Sequence, residues 1–151
     1  MTITAIIAED EPILRAQLKS KLGKLWPELQ IVADVGDGEA ALEAIGEHQP
    51  QLAFLDIQMP EMTGVEVAKS LAANRELRCH VVFVTAFDQY AVEAFETGAI
   101  DYVLKPYRDE RLKAAADRLK ERLSASPSPP PQNLAHLVAY IWAKPNPQRE
   151  M

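Results

Sequence analysis

Five residues of this chain carry acid, hydroxyl and ammonium chemistry: Glu9 and Asp10, Asp56, Thr85, and Lys105 followed by Pro106. The carboxylates offer hard oxygen ligands of the kind a divalent cation takes. The ammonium and the hydroxyl are donors suited to an anion bound beside that cation. Two other chemistries fit less well. A dinucleotide site needs a glycine-rich turn after its first strand, whereas here that position carries Glu9-Asp10-Glu11, which would repel a pyrophosphate. A triad hydrolase needs a nucleophile beside a histidine, and His48, His80 and His136 fall at a helix end, at a strand start and in the C-terminal tail. Each is read as a surface or structural residue.

The elements that must position these groups follow from hydrophobic periodicity. Residues 3–8, 31–35, 52–55, 81–84 and 100–104 read as strands, short and rich in β-branched and aromatic residues. The first, third and fourth are continuously apolar, as suits strands covered on both faces. Helical patterns fill the intervals at 12–25, 38–48, 65–73, 89–97 and 109–123. Ile13, Leu14, Leu18, Leu22 and Leu25 form the apolar stripe of the first, and Pro12 suits its first turn. Asp37 and Asp88 are the expected caps of the second and fourth. Five strand–helix repeats predict a doubly wound α/β domain with a five-stranded parallel sheet and helices on both faces. In such sheets ligands bind beyond the carboxyl ends of the strands, and that is where Glu9, Asp10, Asp56, Thr85 and Lys105 fall.

Composition agrees with one compact domain. The chain has 151 residues, a net charge of −6 and 48% hydrophobic residues, within the range of soluble globular proteins. Residues 1–122 carry 14 Lys and Arg against 21 Asp and Glu. An acidic body without a basic stripe is a poor match for nucleic acid phosphates. Cys79 is a lone cysteine, which excludes a disulfide framework, and reads as a small buried hydrophobe. The longest apolar run, seven residues from Leu137 to Ala143, is too short to span a membrane. With no signal-peptide pattern at the N-terminus, a cytoplasmic protein is expected.

Four segments, in order and at the ends of the expected strands, carry a resemblance. They are Glu9-Asp10-Glu11-Pro12, Leu55-Asp56-Ile57-Gln58-Met59-Pro60-Glu61-Met62-Thr63-Gly64, Val84-Thr85-Ala86 and Asp101-Tyr102-Val103-Leu104-Lys105-Pro106. Over residues 3–123 the chain resembles the receiver domain of bacterial two-component response regulators, the CheY-like (flavodoxin-like) fold. The resemblance implies a strand order of 2-1-3-4-5 and a cis peptide before Pro106. It implies phosphorylation of Asp56 by a sensor histidine kinase. It implies Mg²⁺ held by Asp10, by Asp56, by the backbone carbonyl of Gln58 and, mostly through water, by Glu9. Lys105 and Thr85 would bind the phosphoryl oxygens, and Tyr102 would be the aromatic switch whose rotamer follows Thr85. The segment from Thr85 to Phe95 is similar to the subgroup whose output is a LytTR (LytR/AlgR) DNA-binding domain. That likeness implies a transcriptional regulator.

The rest of the chain bears on partners. Residues 124–131 form a Pro/Ser-rich linker, and Leu134, Leu137, Val138 and Ile141, with Trp142 beside them, suggest one short helix in a 124–151 tail. Such a tail is expected to lead to a DNA-binding output domain absent from this chain, so contact with DNA would come only through that domain. A homodimer through the 88–123 face, with no membrane contact, is the expected readout. No enzyme acting on a separate substrate is expected, although the domain would assist its own phosphorylation and dephosphorylation. One alternative is a stand-alone CheY-like protein that acts by binding a partner. Another is an aspartyl-phosphate phosphatase or phosphotransferase, against which Gln58 stands where such enzymes carry a second Asp.

Overall fold

A computed structural model of the chain describes residues 3–74 and 76–124. Strands β1 (Ile3–Ala8), β2 (Leu29–Val35), β3 (Leu52–Leu55), β4 (His80–Thr85) and β5 (Asp101–Leu104) alternate with helices α1 (Pro12–Leu25), α2 (Gly38–His48), α3 (Gly64–Ala73), α4 (Ala91–Glu96) and α5 (Asp109–Ser124). The strands form one parallel sheet in the order β2-β1-β3-β4-β5. The expected order and helix placement are both met.

Successive strand residues point to opposite faces, and the two cores divide accordingly. Ala5 and Ile7, Leu52 and Phe54, Val82 and Val84, and Val103 face Leu18 and Leu22 of α1 and Leu112, Ala115 and Leu119 of α5. Ile6 and Ala8, Ala53 and Leu55, Val81 and Phe83, and Tyr102 face α2, α3 and α4. Both faces of β1, β3 and β4 are thus covered, the physical reason for their unbroken apolar runs.

The caps explain several boundaries. The Asp37 side chain accepts from the Ala40 amide at 2.7 Å, as expected. Thr63 and Glu66 form a reciprocal capping box, which starts α3 one residue earlier than the periodicity suggests. Helix α4 is shorter than expected, and its N-cap residue is Tyr90 rather than Asp88. Strand β2 begins at Leu29 rather than residue 31, because Leu29 pairs with Ile3 and the polar Gln30 with Thr4. Ile13 does not belong to the core stripe of α1; it is 73% exposed. Ser124 closes α5, its hydroxyl donating to the Lys120 and Glu121 carbonyls, rather than opening the linker. The expected linker and tail helix otherwise lie outside the described residues, as does His136. Among the described residues, no helix is long and apolar enough to cross a membrane.

Candidate functional site

The sheet ladder runs on past the strand ends and sets the site. The Glu9 amide donates to the Val35 carbonyl at 3.0 Å, the Asp56 amide to Ala8 at 2.9 Å, and the Lys105 amide to Thr85 at 2.8 Å. Each functional residue is therefore held in register with a neighbouring strand at the carboxyl edge of the sheet. Glu9, Asp10 and Asp56 each offer a carboxylate oxygen, and these oxygens lie within 4.8 Å of one another. Glu9 and Asp56 are buried, while Asp10 is exposed.

Lys105 reaches into this cluster. Its ammonium donates to Asp56 Oδ2 at 2.8 Å and also to Glu9 Oε1. The other oxygens are held by backbone: the Ile57 amide donates to Asp56 Oδ1 at 2.6 Å, and the Glu11 amide to Glu9 Oε2 at 3.2 Å. Burial pushes the Glu9 carboxyl up, and the Asp56 charge adds to that. The Lys105 and Glu11 hydrogen bonds pull it back only in part. Burial alone would lower Lys105, but its bonds to Asp56 and Glu9 outweigh that and raise it. One cation thus stands against three carboxylates. This donor set, all oxygen and carrying excess negative charge, fits a hard divalent cation such as Mg²⁺.

The lysine follows from the backbone around it. Lys105–Pro106 is a cis peptide, and β5 ends at Leu104, so Lys105 stands at the sheet edge rather than within it.

A family model described as the response regulator receiver domain matches residues 5–117, from within β1 to within α5. The chain belongs to this family. It is 48% identical over 138 residues to an uncharacterized response regulatory protein of Vibrio cholerae, covering 91% of this chain and 52% of that one. It is 38% identical over 122 residues to the transcriptional regulatory protein BtsR of Escherichia coli K12, covering 81% and 50%. The chain therefore spans about half the length of these curated relatives. Among solved structures, the response regulatory domain of mrkE from Klebsiella pneumoniae superposes with a TM-score of 0.74 at 32% identity, covering 80% of this chain and 97% of that one. The receiver domain of AraT from Geobacillus stearothermophilus gives 0.72 at 33%, covering 82% and 96%.

In this receiver domain the ring of Tyr102, the residue expected to act as the switch, takes an inward position. The residue is 1% exposed, and its ring packs on Phe83 and Phe95 with ring centroids 6.0 and 6.1 Å apart. Its hydroxyl donates to the Phe87 carbonyl, and the Phe87 amide donates to Thr85 Oγ1 at 3.4 Å. Thr85, Phe87 and Tyr102 are therefore linked through the β4–α4 loop. The apolar pocket that holds the ring lies between β4 and α4, lined by Phe83 and Phe95.

Two features of the receiver domain escaped the sequence reading. A Cβ added at Gly64 would lie 2.9 Å from the Asp56 carbonyl carbon and closer still to its oxygen, so only glycine lets α3 start against the residue it positions. The quoted motif contained Gly64, but nothing in its spacing shows that approach. Asp101, fully buried, accepts from Arg111 at 2.7 and 3.0 Å, from Arg118 at 2.8 Å and from the Tyr102 amide at 2.7 Å. Arg111 also donates to the Tyr102 carbonyl at 3.1 Å. Both backbone groups of Tyr102 are thereby tied on the β5 edge, fastening α5 to the strand that carries Lys105. Helical amphipathicity places Arg111 on α5 but cannot pair it with an aspartate ten residues earlier. Cys79 is half-buried and its thiol is pushed up to about 12 by burial, in keeping with an inert side chain.

Proposed function

We propose that this domain accepts a phosphoryl group on Asp56 from a sensor histidine kinase and passes the signal on as a change of surface. The observation that carries the reading is the ion pair of Lys105 with a buried Asp56, inside a cluster of three carboxylates at the sheet edge. Asp10 and Asp56, the backbone carbonyl of Gln58 and, through water, Glu9 would hold Mg²⁺. When bound, that ion offsets the carboxylate repulsion and neutralises charge on the phosphoryl oxygens.

The chain's own residues supply the rest. An Asp56 carboxylate oxygen forms the new bond to phosphorus as the bond from phosphorus to the donor's imidazole nitrogen breaks, and the electron pair leaves with that nitrogen. The Ile57 amide fixes Oδ1 and so orients the carboxylate. Lys105, now on Oδ2, is within reach of the transferred oxygens and keeps its charge at neutral pH because its pKa is raised. Thr85 Oγ1 accepts from the Phe87 amide, which leaves its own O–H to donate to a phosphoryl oxygen. Later hydrolysis by water uses the same groups, so the domain assists its own dephosphorylation without acting on a separate substrate.

The readout we favour is a homodimer through the 88–123 face that controls a DNA-binding output of the LytTR type in the full-length protein. The segment from Thr85 to Phe95 supports that subgroup, and a relative named as a transcriptional regulatory protein, about twice as long as its match here, supports an output domain. Action at DNA rather than as a stand-alone partner-binding protein rests on the same two points. The test is incubation with acetyl phosphate and Mg²⁺. Intact mass should rise by one phosphoryl group in the parent and not at all in Asp56→Asn, and uptake by the Asn variant at the parent rate refutes the assignment.

A further inference from the structure

The loop that follows Asp56 is held at both ends by glycines, and one of them belongs to a different helix. Gly64 abuts the Asp56 carbonyl, as described above. Gly38, the first residue of α2, abuts the far end of the same loop. A Cβ there would lie 2.7 Å from both the carbonyl carbon and the Cβ of Met62, and nearer still to the carbonyl oxygen. These are backbone atoms and the first side-chain carbon, not the far end of a flexible chain, so the loop itself would have to shift.

Other contacts keep the loop on that spot. The Gly38 amide donates to the Pro60 carbonyl at 3.4 Å, and the Met62 amide donates to the same oxygen at 2.8 Å. Between them Glu61 takes a left-handed backbone, φ 72°, which a residue with a side chain adopts only when its surroundings impose it. Met62 then packs against the core cluster beneath α2 and α3, and Thr63 caps α3. Asp37 in turn pins the first turn of α2.

We infer that Gly38 is a positioning residue for the phosphoacceptor loop, setting Mg²⁺ affinity from α2 through Met62 and Pro60. The inference rests on the proposed function, because it takes Asp56 and the Gln58 carbonyl as metal ligands. Gly38 meets the loop at Met62 and Pro60. It holds the segment that follows Asp56 and contains Gln58, at the end away from Asp56. A methyl group at position 38 pushes the Met62 peptide outward, and the seven-residue segment 57–63 has no slack to absorb that without moving Gln58.

The same helix contains its own control. A Cβ at Gly46 would meet nothing within 4 Å, so Gly46→Ala adds a methyl group to α2 without touching the loop. The experiment measures the Mg²⁺ dissociation constant by calorimetry, and the rate of phosphorylation by acetyl phosphate, on the full chain. Gly38→Ala should weaken Mg²⁺ binding at least tenfold and slow phosphorylation in step, with far-UV circular dichroism unchanged. Gly46→Ala should stay within twofold of the parent in both. Met62→Gly loosens the same contact without adding atoms and should also weaken Mg²⁺ binding. It carries the test if Gly38→Ala does not fold. A folded Gly38→Ala, or a Met62→Gly, with parental Mg²⁺ affinity overturns the inference while leaving the proposed function standing. A parent chain that binds no Mg²⁺ and takes no phosphoryl group overturns both.

Discussion

Lys105 is the internal counter-ion of the acid cluster, and replacing it with methionine measures what that is worth. The methionine keeps the volume of the aliphatic stem and removes only the charge. In the structure the ammonium neutralises two buried carboxylates, at 2.8 Å from Asp56 and in contact with Glu9. Two like charges 4.8 Å apart, the outer limit within the cluster, repel by about 3.5 kcal/mol at an effective dielectric of 20. Removing one partner of a buried pair costs roughly 3–5 kcal/mol. Lys105 is 17% exposed, so water softens the loss, and about 2–4 kcal/mol is expected. For a domain near 120 residues each kcal/mol moves the melting temperature by about 4 °C, giving a fall of about 8–16 °C in EDTA.

Mg²⁺ and acid should both repair the variant. A cation at 100 times its dissociation constant returns about 2.7 kcal/mol, so the Mg²⁺-induced rise in melting temperature should exceed that of the parent. Glu9 titrates above the ordinary glutamate range because it is buried, and losing Lys105 raises it further. The folded state then holds that proton more tightly than the unfolded chain. The penalty is full above the folded pKa and gone below the unfolded value of about 4.3. Lowering the pH from 7 to about 5 should therefore narrow the gap between variant and parent. Calorimetric melts at both pH values, with EDTA and with Mg²⁺, test all three statements. A variant that melts within 2 °C of the parent in EDTA at pH 7 refutes the counter-ion reasoning.

Asp10→Ala should abolish most of the Mg²⁺-induced stabilisation and leave the metal-free protein as stable as the parent or more so, since one member of a repelling cluster is gone; an unchanged Mg²⁺ shift by thermal melting counts against the site. Arg111→Ala strands the fully buried Asp101 with Arg118 as its remaining side-chain cation, and urea denaturation at pH 7 should show a loss of roughly 3–5 kcal/mol. Burial would raise Asp101, but the Arg111 and Arg118 charges outweigh it and hold the carboxyl below its ordinary value. Its stabilising contribution is present above about pH 3.9 and is lost as pH falls through the folded pKa, so the deficit of Arg111→Ala should shrink in acid. Beryllofluoride, a phosphoryl mimic, should shift backbone amide resonances around Asp56 and across residues 88–123, with Thr85→Ala confining the change to the first group. Shifts confined to Asp56 in the parent refute coupling through Thr85.

Much of this receiver domain is legible in the sequence. Runs such as Val81-Val82-Phe83-Val84 announce a strand covered on both faces, because a parallel sheet leaves no face for polar alternation. The alternation of strand and helix sets the winding, and the acids after β1 and β3 with the lysine after β5 mark the carboxyl edge. These are local signals, each read within a dozen residues. Ile13 shows their limit: it falls on the apolar stripe of α1 yet stands 73% exposed, because helical period alone does not say where a neighbouring element ends.

Tertiary structure alone decided the contacts between distant segments. Which carboxylates Lys105 would meet depends on β1, β3 and β5 ending at one edge, 96 residues of sequence separating Glu9 from its partner. That Tyr102 would lie inward, tied to Phe87, depends on the pocket between Phe83 and Phe95. The need for glycine at 64 and 38 depends on two backbones passing within van der Waals contact, a distance no spacing encodes. Periodicity reports which face of an element is apolar, whereas close approach is a property of the packed whole.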